Sequence, residues 1–228
     1  MKYMGSKRRI AKEIIPIMLK DRKDGQVFYD LFAGGFNLID KIPNPRVAND
    51  LNKYVIAVFR ELQKPNFKFP DHIGETEYKN IQQNKDSYPD WLVGYVGFNL
   101  SFAAKFFGGY RRDKAGIRDY ENEAQQNLIS EIELYNTSYD GVPIKPNSII
   151  YRDIPYFGTT NYSNKSKFDY DKFYGWCIQQ KIAGHSIFIS EYWMPEDRFK
   201  CMWKKEITSS LTKDTGSKKG IEKLWIVK

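Results

Sequence analysis

Histidine and cysteine are almost missing from this chain, with two of each in 228 residues. His72 and His185 stand far from one another and from Cys177 and Cys201, so there is no metal-ligand spacing, no disulfide framework and no histidine-centred acid–base pair. A chain so poor in cysteine is expected in a reducing compartment. Long apolar runs are also lacking, and the first residues do not follow the basic, apolar, small-residue order of a signal peptide. A soluble, cytoplasmic protein is therefore expected. Internal repeats and low-complexity tracts are absent too.

Cations and aromatic rings are plentiful instead. Lys and Arg number 36 against 28 Asp and Glu, a net charge of +8, which favours a polyanionic partner. Sixteen Tyr, fifteen Phe and five Trp are many for so polar a chain; rings beside cations suit base stacking as well as core packing. The length allows one large core or one domain carrying an insertion, and the second is expected.

Ser6 is placed to cap a helix over residues 7–20, with Ile10, Ile14, Ile17 and Met18 on one face and Pro16 kinking or shortening it. Lys7 is then either a solvated first-turn lysine or a cation beside a helix start that could hold an anion. Residues 26–32 read as a strand running into Ala33-Gly-Gly-Phe-Asn37 and a helical stretch through Asp40. Strand, glycine turn and helix form a nucleotide-binding layout, in which glycine lets the backbone approach a ligand closely. A second strand, residues 46–50, ends in Asp50, about twenty residues after Asp30, where a carboxylate binds ribose hydroxyls. Asp50 would also serve as N-cap of a helix over residues 51–63.

Prolines 65, 70 and 89 break the pattern and introduce a mostly helical insertion. Within it Phe98, Phe102, Phe106, Phe107 and Tyr110 interleave with Lys105, Arg111, Arg112, Lys114 and Arg118 around a Gly108-Gly109 corner. Phe98 and Phe102 read as the apolar side of an amphipathic helix. The cations from Tyr110 to Arg118 read as a nucleic-acid contact. A buried strand from Ile149 then stops at Asp153 and opens into a Gly/Thr/Asn loop, placing Asp153, Ile154, Pro155 and Tyr156 where an α/β protein has its ligand crevice. A helix over residues 169–180, a strand over 186–190 and a C-terminal edge hairpin, residues 204–211 with 221–227, complete the pattern. The hairpin lysines read as edge protection.

In this order the motifs resemble the D12 class of Dam-like adenine-specific DNA methyltransferases, particularly the short phage and prophage members. Lys2-Tyr-Met-Gly-Ser-Lys7 is similar to that family's opening cofactor motif, Asp30-Leu-Phe-Ala-Gly-Gly-Phe-Asn37 to its glycine motif, and Asn49-Asp-Leu-Asn52 to its ribose-binding acid. Phe107-Gly-Gly-Tyr110 falls at its target-recognition segment, Asp153-Ile-Pro-Tyr156 at its Asp-Pro-Pro-Tyr, and Ile189-Ser-Glu-Tyr192 at the following strand. The resemblance implies a Rossmann-like class I methyltransferase α/β fold, a seven-stranded sheet with helices on both faces. It divides the chain into a catalytic domain, residues 1–63 and 147–228, and an inserted target-recognition subdomain, residues 64–146.

The resemblance further implies S-adenosylmethionine as donor, S-adenosylhomocysteine as product, no metal, and the amino group of a flipped-out adenine in double-stranded DNA as acceptor. Tyr3, Lys7, Asp50 and Asp153 match the cofactor residues, with Asp30 and the Phe32, Gly34 and Gly35 backbone beneath the methionine part. Asp153 and the Ile154 carbonyl would accept the two amino hydrogens, and Tyr156 would stack on the base. A monomer in bacterial or phage-infected cytosol, with a possible cognate restriction endonuclease, fits the same picture.

Three positions depart from the family. Ile154 replaces a second proline, adding an N–H while Pro155 still biases residue 154 to extended backbone. Arg152 stands where a small or apolar residue is usual, on the strand face opposite Asp153, and a buried arginine there would want a partner. Leu31 replaces a common proline. The alternative function is a methyltransferase-like DNA-binding protein that is catalytically weakened or inactive.

Overall fold

The computed structural model describes residues 1–112, 126, 128–156, 168–209 and 218–228. Its centre is a seven-stranded sheet in the order β3-β2-β1-β4-β5-β7-β6, made of Phe28–Asp30 (β1), Arg46–Asn49 (β2), Glu133–Tyr135 (β3), Ile149–Asp153 (β4), Ser186–Ser190 (β5), Phe199–Ser209 (β6) and Lys218–Val227 (β7). The first five strands pair in parallel, and β7 runs antiparallel between β5 and β6. Strands β1, β2 and β4 are buried on both sides, so that even their polar residues Asp30, Arg46, Asn49 and Arg152 lie inside.

Helices cover both faces. On one, Ala11–Leu19 (α1), Lys53–Leu62 (α2) and Asp90–Asn99 (α4, following α3 at Glu75–Gln83) pack with Phe28, Ala48, Ile149 and Tyr151. On the other, Tyr170–Ile182 (α5) presents Phe173, Tyr174 and Cys177 to Tyr29, Val47, Ile150 and Ile187. The doubly wound Rossmann-like α/β fold is as expected. Its strand order reverses direction between β1 and β4, so the crevice lies past the ends of those two strands.

Several elements differ from the sequence reading. The first helix is split: Ser6 accepts from Arg8 N–H and caps a short 3-10 turn, Lys7–Arg9, while α1 begins at Ala11 and runs on through Pro16. The helical stretch to Asp40 is only a 3-10 turn, Ile39–Lys41. Asp50 does not cap α2; Asn52 does, accepting from Tyr54 N–H at 3.0 Å, and Asp50 is left to the glycine turn. Strand β3 lies within residues 64–146 yet pairs with β2 in the main sheet, and three residues are too few for an alternating pattern to register.

Helix α4 is no amphipathic surface helix. Val93 to Asn99 are all buried, and a helix apolar all round sits inside a core. Phe98 is core, with Tyr3 at 5.1 Å and Phe106 at 4.9 Å between ring centroids. Phe102 has left the helix for a 3-10 turn and is 71% exposed. The terminal hairpin forms as expected, though β7 is interior and only β6 is an edge. No described helix is long and apolar enough to cross a membrane.

Candidate active site

The glycine turn after β1 is shaped by close approach. Gly34 has φ +48°, a left-handed conformation that favours glycine, and its N–H donates to Asp50 Oδ2 at 2.9 Å. A Cβ on Gly35 would stand 2.6 Å from Tyr3 Cβ and 2.7 Å from the Met1 carbonyl oxygen. The chain's first residues therefore lie directly on the turn, where the Met1 ammonium donates to the Gly35 carbonyl at 3.0 Å and the Asn37 amide donates to the Met1 carbonyl at 2.8 Å. A Gly35→Ala protein should lose about 1–3 kcal/mol of stability, the usual effect of overpacking, because backbone and not a flexible side-chain tip must move. A denaturation midpoint equal to that of the natural chain would contradict the packing.

Three carboxylates surround this turn. Asp30 ends β1, buried, with Phe32 N–H donating to it at 3.4 Å. Burial and then the neighbouring Asp153 charge push its carboxyl well above the usual range. Asp50 is also raised by burial, although N–H bonds from Asn52 and Gly34 hold it down. Asn49 locks the geometry, donating to the Leu31 and Thr137 carbonyls at 3.1 Å each and accepting from Thr137 N–H.

Asp153, the third, ends β4 as the strand leaves the sheet. Lys7 Nζ, buried, stands 2.8 Å from its Oδ1 and donates to the Gly5 carbonyl at 3.2 Å. Burial raises the Asp153 carboxyl to about 6, opposed by the Lys7 charge. Tyr156 is held on two sides, by the edge of Tyr192 at 4.3 Å between centroids and by Lys7 Nζ 4.7 Å from its own centroid. Its hydroxyl donates to Glu222 Oε2 at 2.5 Å. The Pro155 carbonyl accepts from the Tyr170 hydroxyl at 2.7 Å, tying the loop to α5. Ile154 is buried on the α5 side.

Lys7, Asp30, Asp153 and Tyr156 thus converge, with Asp50, Gly34, Gly35 and Tyr3 alongside. Phe32 contributes backbone here while its ring turns to the α5 face, 5.7 Å from Tyr139. Glu222 lies at the candidate site with no sequence pattern to reveal it, and so does Met1, whereas Asn37, which donates to the Met1 carbonyl, ends the glycine motif. Nothing in Ile221-Glu-Lys-Leu224 marks a site residue, and only the antiparallel passage of β7 beside β5 delivers it.

Arg152 occupies the opposite face from Asp153, as strand alternation demands, but the expected partner is not found among the described residues. It is fully buried, and none of its three guanidinium nitrogens has a hydrogen-bond partner there. Aromatic rings enclose it: Trp176 at 3.4 Å from its centroid, Tyr139 at 4.7 Å, Phe173 at 5.2 Å and Phe32 at 6.0 Å.

The residues expected to face DNA lie in another part of the chain. Tyr110 donates its hydroxyl to the Ile73 carbonyl at 2.8 Å and bridges Ser101 across the Gly108-Gly109 corner. Arg112 grips Glu75 with Nε at 3.1 Å and is 81% exposed, so this pair is solvent-screened. Arg111 is half-buried beside it. Lys114 and Arg118 lie outside the described residues.

Fold and site together define a Rossmann-like α/β protein with an acidic crevice against which residues 1–7 pack. Residues 3–91 match the family described as D12 class N6 adenine-specific DNA methyltransferase. That match holds Tyr3, Lys7, the glycine turn and Asp50, and stops short of Asp153. No curated protein matches. Among solved structures, SMU.472, a putative methyltransferase complexed with SAH, is similar at 14% identity and TM-score 0.39, over 96% of this chain and 52% of that one, so the chain spans about half of its length. The N-terminal domain of human METTL16 in complex with SAH is similar at 8% identity and TM-score 0.41, over 96% of this chain and 69% of that one. Likenesses at these TM-scores carry no argument about activity.

Proposed function

We propose that the protein is an S-adenosylmethionine-dependent DNA adenine-N6 methyltransferase, with residues 1–63 and 147–228 as catalytic domain and residues 64–146, apart from β3, carrying target recognition. The observation that carries this reading is the convergence of Asp153 and Tyr156 with Lys7, beside a glycine turn already matched to the adenine methyltransferase family.

The residues fit the donor. Gly34 and Gly35 let Tyr3 pack directly on the turn after β1, and Asp50, beyond β2, stands beside that turn at the position where a carboxylate binds ribose hydroxyls in such folds. Tyr3, Lys7, Asp30, Phe32, Gly34, Gly35 and Asp50 would hold it. When bound, S-adenosylmethionine supplies an electrophilic methyl group whose carbon–sulfur bond breaks with the electron pair left on sulfur.

The chain's own residues make the adenine nitrogen a nucleophile. Its lone pair is conjugated with the ring, and drawing both amino hydrogens into hydrogen bonds frees it for in-line attack. Asp153 accepts one and the Ile154 carbonyl the other. The proton that nitrogen sheds passes to Asp153, whose value near 6 lets it take a proton and release it again at neutral pH. Tyr156 stacks on the base, offsetting the few kcal/mol needed to extrude it from the duplex. Ile154 in place of proline still supplies a main-chain carbonyl as acceptor.

Incubation with methyl-labelled S-adenosylmethionine and mixed-sequence duplex DNA tests this directly. Label above an Asp153→Ala control, recovered as N6-methyl-2′-deoxyadenosine, is expected; label on another base or none at all contradicts it. For the target-recognition part, Arg111→Ala with Arg112→Ala should lower the slope of log affinity against log salt by up to about 2, near 0.9 for each phosphate no longer neutralised. An unchanged slope would remove this corner from the DNA interface.

A further inference from the structure

Strand β7 brings one more carboxylate to the site. Glu222 is buried, accepts the Tyr156 hydroxyl proton and has Lys7 Nζ at 3.9 Å. Lys7 therefore stands between two carboxylates and lies closer to Asp153, at 2.8 Å. In this arrangement Lys7 occupies Asp153 Oδ1, one of the two oxygens that an incoming amino group could use. The Tyr156 hydroxyl is within hydrogen-bonding reach of Asp153 as well as Glu222. It has one proton to give, and giving it to Glu222 keeps it off Asp153.

We propose that Glu222 is a positioning residue of the transfer site, drawing the Tyr156 proton and the Lys7 ammonium away from Asp153 when the substrate amino group takes their place. The inference rests on the methyl-transfer reading of Asp153. A Lys7 ammonium displaced from Asp153 stays buried and needs a carboxylate to turn to, and Glu222 is the one already facing it. The ammonium needs to move only about an ångström toward Glu222, the difference between the 3.9 Å and 2.8 Å separations. The groups facing Glu222 are Lys7 from the N-terminal turn, Tyr151, Asp153 and Tyr156 from β4 and its loop, and Tyr192 beyond β5. On β6 its register partner is Lys205, which is paired with Glu13 of α1.

Glu222→Gln separates charge from hydrogen bonding, since the amide oxygen still accepts the Tyr156 proton. At saturating S-adenosylmethionine and DNA its kcat should fall about tenfold or more, with S-adenosylhomocysteine affinity unchanged. The acid limb of kcat should also move to lower pH, because losing the Glu222 charge and keeping Lys7 on Asp153 both favour the ionised carboxylate. Glu222→Asp, which keeps the charge, should return the limb toward its natural position. A merely structural role would lower kcat and leave the limb in place. Titration of Asp153 followed by carboxyl carbon-13 NMR reads the same coupling without turnover, so a protein inactive on DNA would refute the Asp153 reading separately. An Asp153 titration unmoved by Glu222→Gln, or a natural kcat in that variant, overturns the proposal.

Discussion

An Asp153→Asn protein is expected to transfer methyl groups about 10²–10³-fold more slowly than the natural chain, the usual loss when one preorganised charge-stabilising group is removed, and yet to be more stable in mildly alkaline solution. Both effects have one source. The Asp153 carboxyl is raised to about 6 from an ordinary 3.8, chiefly by burial, with Lys7 opposing. The folded state thus holds the Asp153 proton more tightly than the unfolded chain does. Stability linked to that proton is fully present below the ordinary carboxylate range and is lost as pH rises through about 6.

A tenfold change in proton affinity is worth about 1.4 kcal/mol, so the ionised group withholds up to roughly 3 kcal/mol at alkaline pH. Asparagine is neutral throughout and avoids most of that, less what Lys7 forfeits by keeping Glu222 alone. Thermal midpoints of the two proteins should converge in acid and separate above pH 6, with Asp153→Asn higher. A variant less stable at alkaline pH would show that the Lys7 pair outweighs the burial of the charge. Natural-rate transfer by the same variant would take Asp153 out of the chemistry.

Where the candidate site is built by neighbours in the chain, it is legible in the sequence. Gly34 and Gly35 lie in the turn after β1, Asp50 follows β2, and Asp153 ends β4 with Ile154 to Tyr156 after it; each is a strand end whose turn chemistry is written in adjacent residues. Lys7 is legible by motif, though not its contact with Asp153, because an ion pair between residues so far apart in the chain leaves no local pattern. Glu222 is not legible at all, since alternation in β7 says which face it takes and not which strand it will lie beside. The same limit explains β3, whose membership of the sheet is decided by β2 and not by its own three residues. Phe102 departs from expectation because the helical period does not continue past Asn99, and the chain turns through positive φ at Ala103 and Ala104.

Replacing Arg152 by methionine is expected to stabilise the protein by about 1–4 kcal/mol, the range seen when buried ionic groups give way to apolar ones of similar volume. The competing effects can be ranked. Attraction to an aromatic face reaches about 2 kcal/mol when desolvated, and Trp176 at 3.4 Å is the strongest of the four contacts. Against it stand the desolvation of a full charge, several kcal/mol even after relaxation, and three donor nitrogens without hydrogen-bond partners among the described residues, at about 1–3 kcal/mol each. Burial lowers the guanidinium to about 9, which leaves it charged at neutral pH, so the fold carries the penalty where the protein works. That depression also gives a sign to test: the folded state sheds the Arg152 proton first, so the natural protein should gain on Arg152→Met as pH rises toward and beyond 9. Methionine fills an irregular space among rings and makes favourable sulfur–aromatic contacts there. Alanine would instead leave a cavity under Phe173 and Trp176 and should destabilise, so the pair of variants separates charge from volume. If Arg152→Met lowers the midpoint as much as Arg152→Ala does, the aromatic box is worth more than the desolvation it opposes. Since Arg152 faces away from Asp153, methyl transfer by Arg152→Met should stay within a few-fold of the natural rate, which would mark the charge as a burden on the fold without a part in the reaction.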